Sequence, residues 1–94
     1  MTTDDILAIL KIDLGISSTA LDSYLTQMIQ SAQGYIAEEG ITLTASVPDG
    51  QLVEMYAAWL YRKRREENAP MPRMLRWNLN NRLMAQKGTV TGNG

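Results

Sequence analysis

The stretch that most constrains this chain is residues 52–68, LVEMYAAWLYRKRREEN. Its first ten residues carry one charge, Glu54, whereas the next six, from Arg62 to Glu67, are all charged. The pattern reads as one helix, apolar at its start and charged at its end. At about 100° per residue, Leu52, Val53, Tyr56, Trp59 and Leu60 share one face. Met55, Ala57, Ala58 and Tyr61 fall outside that face, so little of the first half is built to meet water. A helix that is apolar nearly all round is buried on more than one side. In 94 residues, that means either a central core helix or a helix shared between subunits.

Around this segment the sequence predicts a small all-α bundle of about four helices with a short central extended loop. One domain spans residues 1–88, followed by a flexible tail over 89–94. A short helix is expected over 3–12, capped by Thr2 or Thr3. Asp4 and Asp5 suit its positive end, and Ile6, Leu7, Ile9 and Leu10 supply the buried side. Gly15 breaks it, taking positive φ. A second helix is expected over 19–39, with Thr19 and Asp22 as a capping box and Gly40 as the stop. Its stripe is Leu21, Leu25, Met28, Ile29, Ala32, Tyr35 and Ile36. Gly34 inside it costs about 1 kcal/mol relative to Ala, either to permit close helix packing or as a tolerated weakness. Residues 41–47 read as an ordered loop. Pro48, Asp49 and Gly50 start the central helix. Pro70 and Pro72 end it, and a last helix is expected over 73–86, closed by Gly88.

Two faces are unusual. From Ser23 to Ala37 there is no charge. Gln27, Gln30 and Gln33 stand where a solvent-facing helix carries Lys or Glu. Such a face is either plain polar surface or a contact with another subunit, where a charge is costly to desolvate. The last helix has Leu75, Leu79 and Leu83 on one side and Met74, Trp77 and Met84 on another, as if fitted between its own core and something else. Tyr61, opposite the main core stripe, is a further candidate contact residue.

Charge is distributed unevenly. Residues 1–54 hold eight acids and one base, Lys11; residues 55–94 hold eight bases and two acids, Glu66 and Glu67. Either this is surface decoration, or one pole of the molecule is basic and faces nucleic acid or an acidic neighbour. The run Arg62, Lys63, Arg64, Arg65 is the strongest polar feature. It is favourable at a helix C-terminus and is either a solvated helix end or a contact for phosphate or an acidic partner.

Catalysis finds no support. There is no cysteine and no histidine, which removes thiolate chemistry and the usual imidazole base. The adjacent carboxylates Asp4/Asp5, Glu38/Glu39 and Glu66/Glu67 point in different directions on a helix and make no acid/base dyad. No P-loop, dinucleotide fingerprint or metal-ligand cluster occurs, so no cofactor and no metal are expected. The opening MTTDDILAIL lacks the features of a signal peptide, and no apolar run reaches the ~18 residues of a membrane span. A soluble, non-secreted protein without membrane contact is expected.

Four stretches carry a resemblance: DDILAILKIDLGI, LDSYLTQMIQSAQGYIAEEGI, VPDGQLVEMYAAWLYRKRREEN and PMPRMLRWNLNNRL. Within them stand Leu10-Lys11-Ile12-Asp13, Tyr35-Ile36, Val47-Pro48, Trp59-Leu60-Tyr61-Arg62 and a closing helix led by Pro72. In that order and almost throughout its length, the chain resembles the small head–tail connector (adaptor) proteins of tailed bacteriophages and prophages. The resemblance implies an all-helical structural protein without catalysis or cofactor. It implies a homo-oligomeric ring, a dodecamer in the virion, that sits under the portal protein, extends the DNA channel and docks stopper or tail-completion proteins. The place of action is then the virion head–tail interface, with the host cytoplasm during assembly. On this reading Gln27, Gln30, Gln33, Tyr61 and Trp77 belong to subunit or partner interfaces, and Arg62 to Arg65 meet channel DNA or an acidic partner. The alternatives are a helical module that binds DNA non-specifically and one that binds other proteins.

Overall fold

The computed structural model describes residues 1–66 and 68–91. They form four helices and no strand: α1 (Thr3–Leu14), α2 (Asp22–Glu38), α3 (Val47–Arg65) and α4 (Arg73–Thr91). Helix α3 packs against each of the other three, and α1 also packs on α2. The apolar first half of the 52–68 stretch is thus a central core helix.

The start of α1 is fixed by a capping box. Thr2 Oγ1 accepts from the Asp5 N–H at 3.1 Å, and the Asp5 carboxylate accepts from the Thr2 N–H at 3.0 Å, so two otherwise orphaned donors are satisfied. The hydrogen bond to Thr2 holds the Asp5 carboxyl below its ordinary pKa. At the other end Gly15 sits at φ 71°, a conformation that a side chain would strain. Ile6 and Leu10 are buried, but Ile9 is 40% exposed and Ile12 is 81% exposed. The buried side is completed by Leu7 and Leu14, which turns the wheel away from the expected Ile9.

Helix α2 begins three residues later than expected, and the Thr19–Asp22 capping box does not form. Its N-cap is Leu21, without a side-chain bond. The Asp22 carboxylate instead turns to the Lys11 ammonium of α1, 2.7 Å away. Leu25, Met28, Ile29, Ala32 and Ile36 are buried at helical spacing, whereas Tyr35 of the expected stripe is 49% exposed, at the edge of the stripe, and Leu21 is half-buried at the N-cap. Gly34 faces open space, so it does not admit a neighbouring helix of its own chain.

Ser46 caps α3, accepting from the Asp49 N–H at 3.2 Å, with Pro48 in the first turn. Leu52, Val53, Tyr56, Ala57 and Ala58 are buried, as is Glu54. Gly50 is buried too, and a Cβ there would stand 2.6 Å from Met1 Sδ; the close approach of Met1 needs the missing side chain. The helix stops at Arg65, short of the expected Asn68, with Glu66 in an extended conformation. Like charges packed on the last turn do not favour its continuation, and Pro70 and Pro72 forbid it shortly afterwards.

Helix α4 buries Leu75 and Leu79 on the core. It runs through Gly88 to Thr91, past the expected stop. One helical glycine costs only about 1 kcal/mol and does not by itself end a helix. Residues 92–94, the rest of the expected tail, lie outside the described residues. Between α2 and α3 the loop is ordered by side chains. Gln86 donates to Gly40 O at 2.9 Å and accepts from the Thr42 N–H at 2.7 Å, Arg82 donates to Thr42 O at 2.8 Å, and Ile41 is buried.

Candidate assembly surfaces

The uneven charge of the sequence is partly folded into pairs within the chain. Arg76 grips Glu39 with two hydrogen bonds, 3.0 and 2.7 Å. Arg82 grips Asp49 with two, 2.7 and 3.1 Å. Arg62 lies 3.8 Å from Asp13. Bidentate arginine–carboxylate pairs are among the stronger polar contacts. Arg82 holds the Asp49 carboxyl below its ordinary range, against the opposing effect of burial, with Thr44 adding two further bonds. Arg76 and Arg82 therefore do not contribute to a free basic pole.

The run Arg62 to Arg65 remains exposed. Aromatic rings lie beneath three of its members. Lys63 Nζ is 4.9 Å from the Trp59 ring centre, the Arg65 guanidinium 5.0 Å from Tyr61, and the Arg64 guanidinium 5.9 Å from Tyr24. Each is within the range of cation–π attraction, which orients the cations outward from an aromatic floor. The Trp59–Lys63 and Tyr61–Arg65 spacings are the four-residue spacing of one helix face and stood in the sequence. Tyr24 is the member that sequence reasoning missed, because it comes from α2.

Tyr61 is half-buried rather than presented outward. Its ring meets that of Tyr24 edge-on at 6.2 Å and packs against the core. Gln27 and Gln30 are exposed and Gln33 is half-buried on α2. Tyr35, exposed on the same helix, stacks on Tyr56 at 6.0 Å. A groove of about 320 Å³ bounded by Ser31, Tyr35, Leu60, Lys63 and Arg64 joins this face of α2 to the basic run.

On α4, Trp77 is 62% exposed, Met74 60% and Met84 70%. These are the residues of the second apolar side. With Met71, Arg73, Arg76 and Asn80, Trp77 and Met74 line an open groove of about 680 Å³. Trp59, by contrast, is half-buried and donates its indole N–H to Ala69 O at 3.3 Å.

Glu54 stands apart chemically. Burial first, and then the neighbouring Asp13 carboxyl, push its carboxyl up to about 7 against a smaller opposing effect of Arg62. One carboxyl oxygen of Glu54 has no hydrogen-bond partner. Among the described residues no cluster of His, Cys, Asp or Glu could hold a metal ion, and no helix is long and apolar enough to cross a membrane.

Residues 4–87 match the family model of the phage gp6-like head-tail connector proteins. The chain belongs to that family. No curated protein and no solved structure matches it. Membership makes the chain a structural component of a phage connector, where the head of the virion meets the tail and where it assembles with head and tail proteins. The exposed α4 face, the uncharged α2 face and the basic end of α3 are the candidate surfaces for such contacts.

Proposed function

We propose that copies of this connector chain close into a ring, a dodecamer, beneath the portal protein, extending the DNA channel and docking a stopper or tail-completion protein. The observation that carries the reading is the apolar face of α4, where Met74, Trp77 and Met84 lie exposed together in a chain that belongs to a connector family. A patch of this kind marks an interaction site. On this reading Trp77 is a subunit contact. Gln27, Gln30 and Gln33 belong to a subunit or partner interface whose lack of charge lowers the cost of desolvation. Tyr61 contributes at the edge of the basic end. Arg62, Lys63, Arg64 and Arg65 meet channel DNA or an acidic partner. Assembly takes place in the host cytoplasm and the product resides in the virion. Light scattering of the purified chain, alone and with portal protein, tests this. A ring or a portal complex is expected, and a strictly monomeric species that ignores portal overturns it.

A second reading rests on the exposed basic run: a helical module that binds duplex DNA non-specifically through phosphate. It requires binding that weakens steeply with salt and that is lost when Arg62, Arg64 and Arg65 are replaced by Ser. Unchanged binding by that variant excludes this site.

A further inference from the structure

Two helices of this chain expose large apolar side chains with opposite electrostatic surroundings. On α1, Ile12 is 81% exposed and Ile9 40%. They share the outer side of that helix with Asp4, Asp5 and Ala8, all exposed. The helix has one base, Lys11, and it is spent on Asp22 at 2.7 Å. On α4, Met74, Trp77 and Met84 are exposed. That helix contains no acid; its Arg76 and Arg82 are spent on Glu39 and Asp49, and the base beside the apolar groove is Arg73, which is exposed.

Each of these helices buries its opposite side in the core, Ile6 and Leu10 for α1, Leu75 and Leu79 for α4. The two outer faces therefore look away from the core and do not cover one another within one chain. The geometry points to their covering one another between chains: the Ile9/Ile12 face of α1 on one copy seats against the Met74/Trp77 groove of α4 on the next. This assignment rests on the ring reading above and adds to it the identity of the two mating faces.

Charge selects this pairing over the symmetric ones. Two α4 faces brought together place Arg73 beside its own copy, and two α1 faces place Asp4 and Asp5 beside theirs, whereas α1 on α4 brings Asp4 and Asp5 to Arg73. The flexible side chains of Met74 and Met84 fill irregular gaps, and a β-branched Ile12 against an indole is a compact apolar contact. Because the faces differ, the contact is head-to-tail. An open run of copies keeps one unused face of each kind at its two ends, and growth ends only when a ring closes.

The absence of cysteine from the chain makes a selective test available. Ile12→Cys and Trp77→Cys are made separately, mixed and oxidised, with Ser18→Cys, exposed and outside the proposed contact faces, in place of Ile12→Cys as the control pair. The reaction is run on the chain alone and with portal protein, with light scattering on the same samples. Both positions are exposed, so neither substitution opens the core. The expected result is a disulfide-linked pair from the Ile12→Cys and Trp77→Cys mixture well above the control, and a ladder of linked species from the double variant. Ile12→Lys, which sets a cation against the basic face, is expected to reduce assembly at least tenfold. An assembled species without the 12–77 link overturns this pairing and leaves the ring reading standing. A monomer under both conditions overturns the two together.

Discussion

Arg82 on α4 donates from Nε and from Nη2 to the two carboxylate oxygens of Asp49 at the start of α3, at 2.7 and 3.1 Å, across 33 residues of chain. Asp49 is 2% exposed, so this is a carboxylate taken out of water and matched by a fork-shaped partner. Removing the fork strands the charge. Arg82→Ala is expected to cost about 3 kcal/mol, the usual penalty for breaking a buried pair. In a domain of this size that is a fall in Tm of about 15 °C, read by thermal melting. Asp49 is held below its ordinary range, so its contribution is present at neutral pH and fades as pH falls through the lowered value. The variant should therefore lose less of its remaining stability on acidification than the parent chain does. Equal melting curves for the two chains contradict the assignment.

Glu54 works in the opposite direction. Its carboxyl is pushed up to about 7 by burial and by Asp13, so the folded chain binds a proton that the unfolded chain releases nearer 4.5. Stability from this group is complete below the unfolded value and is lost as pH rises through about 7. Glu54→Gln, which resembles the protonated form, should stabilise the chain by about 2 kcal/mol at about pH 8 and leave it nearly unchanged at about pH 4. Melting at the two pH values decides it; the same increment at both would show that charge is not the cause.

Gly34 lies in mid-helix with nothing within 4 Å of where a Cβ would stand. Gly34→Ala should raise monomer stability by about 1 kcal/mol, seen as a higher urea midpoint at unchanged slope. If the uncharged face of α2 meets a partner, the added methyl group should weaken assembly while it strengthens the fold. No rise in the midpoint would mean that the helix is strained there in a way its backbone does not display.

Trp77 is exposed and Trp59 is half-buried, so the two indoles report on different events. In a Trp59→Phe chain, Trp77 is the sole emitter. Its fluorescence should shift to the blue as the chain assembles, because assembly withdraws the indole from water. Assembly seen by scattering without such a shift would place the α4 face outside the contact.

Periodicity and local chemistry made much of the fold legible. The α2 stripe, the break at Gly15 and the proline stop after α3 each follow from residues a few positions apart. The fate of the charges did not, because Arg76–Glu39 and Arg82–Asp49 join positions 37 and 33 apart. A composition split into acidic and basic halves is what such long-range pairing looks like before folding. Ile9 was misplaced because α1 has more large apolar residues than its contact with α2 and α3 can cover, and the wheel alone does not say which is left out. The double-sided pattern of α4 did show that Met74, Trp77 and Met84 would not share the core with Leu75. Tyr61 was harder to place, since its neighbour Tyr24 sits on another helix.

Gln86 and Arg82 reach from α4 to both ends of the segment that links α2 to α3, through Gly40, Thr42 and Asp49. That stitching makes the last helix hard to peel away by itself. A pull on α4 drags the strap and the first turn of the central helix with it, so a load entering at one seam spreads through the whole body. In a part set where the head of the virion meets the tail, such stitching favours movement as one piece over movement helix by helix.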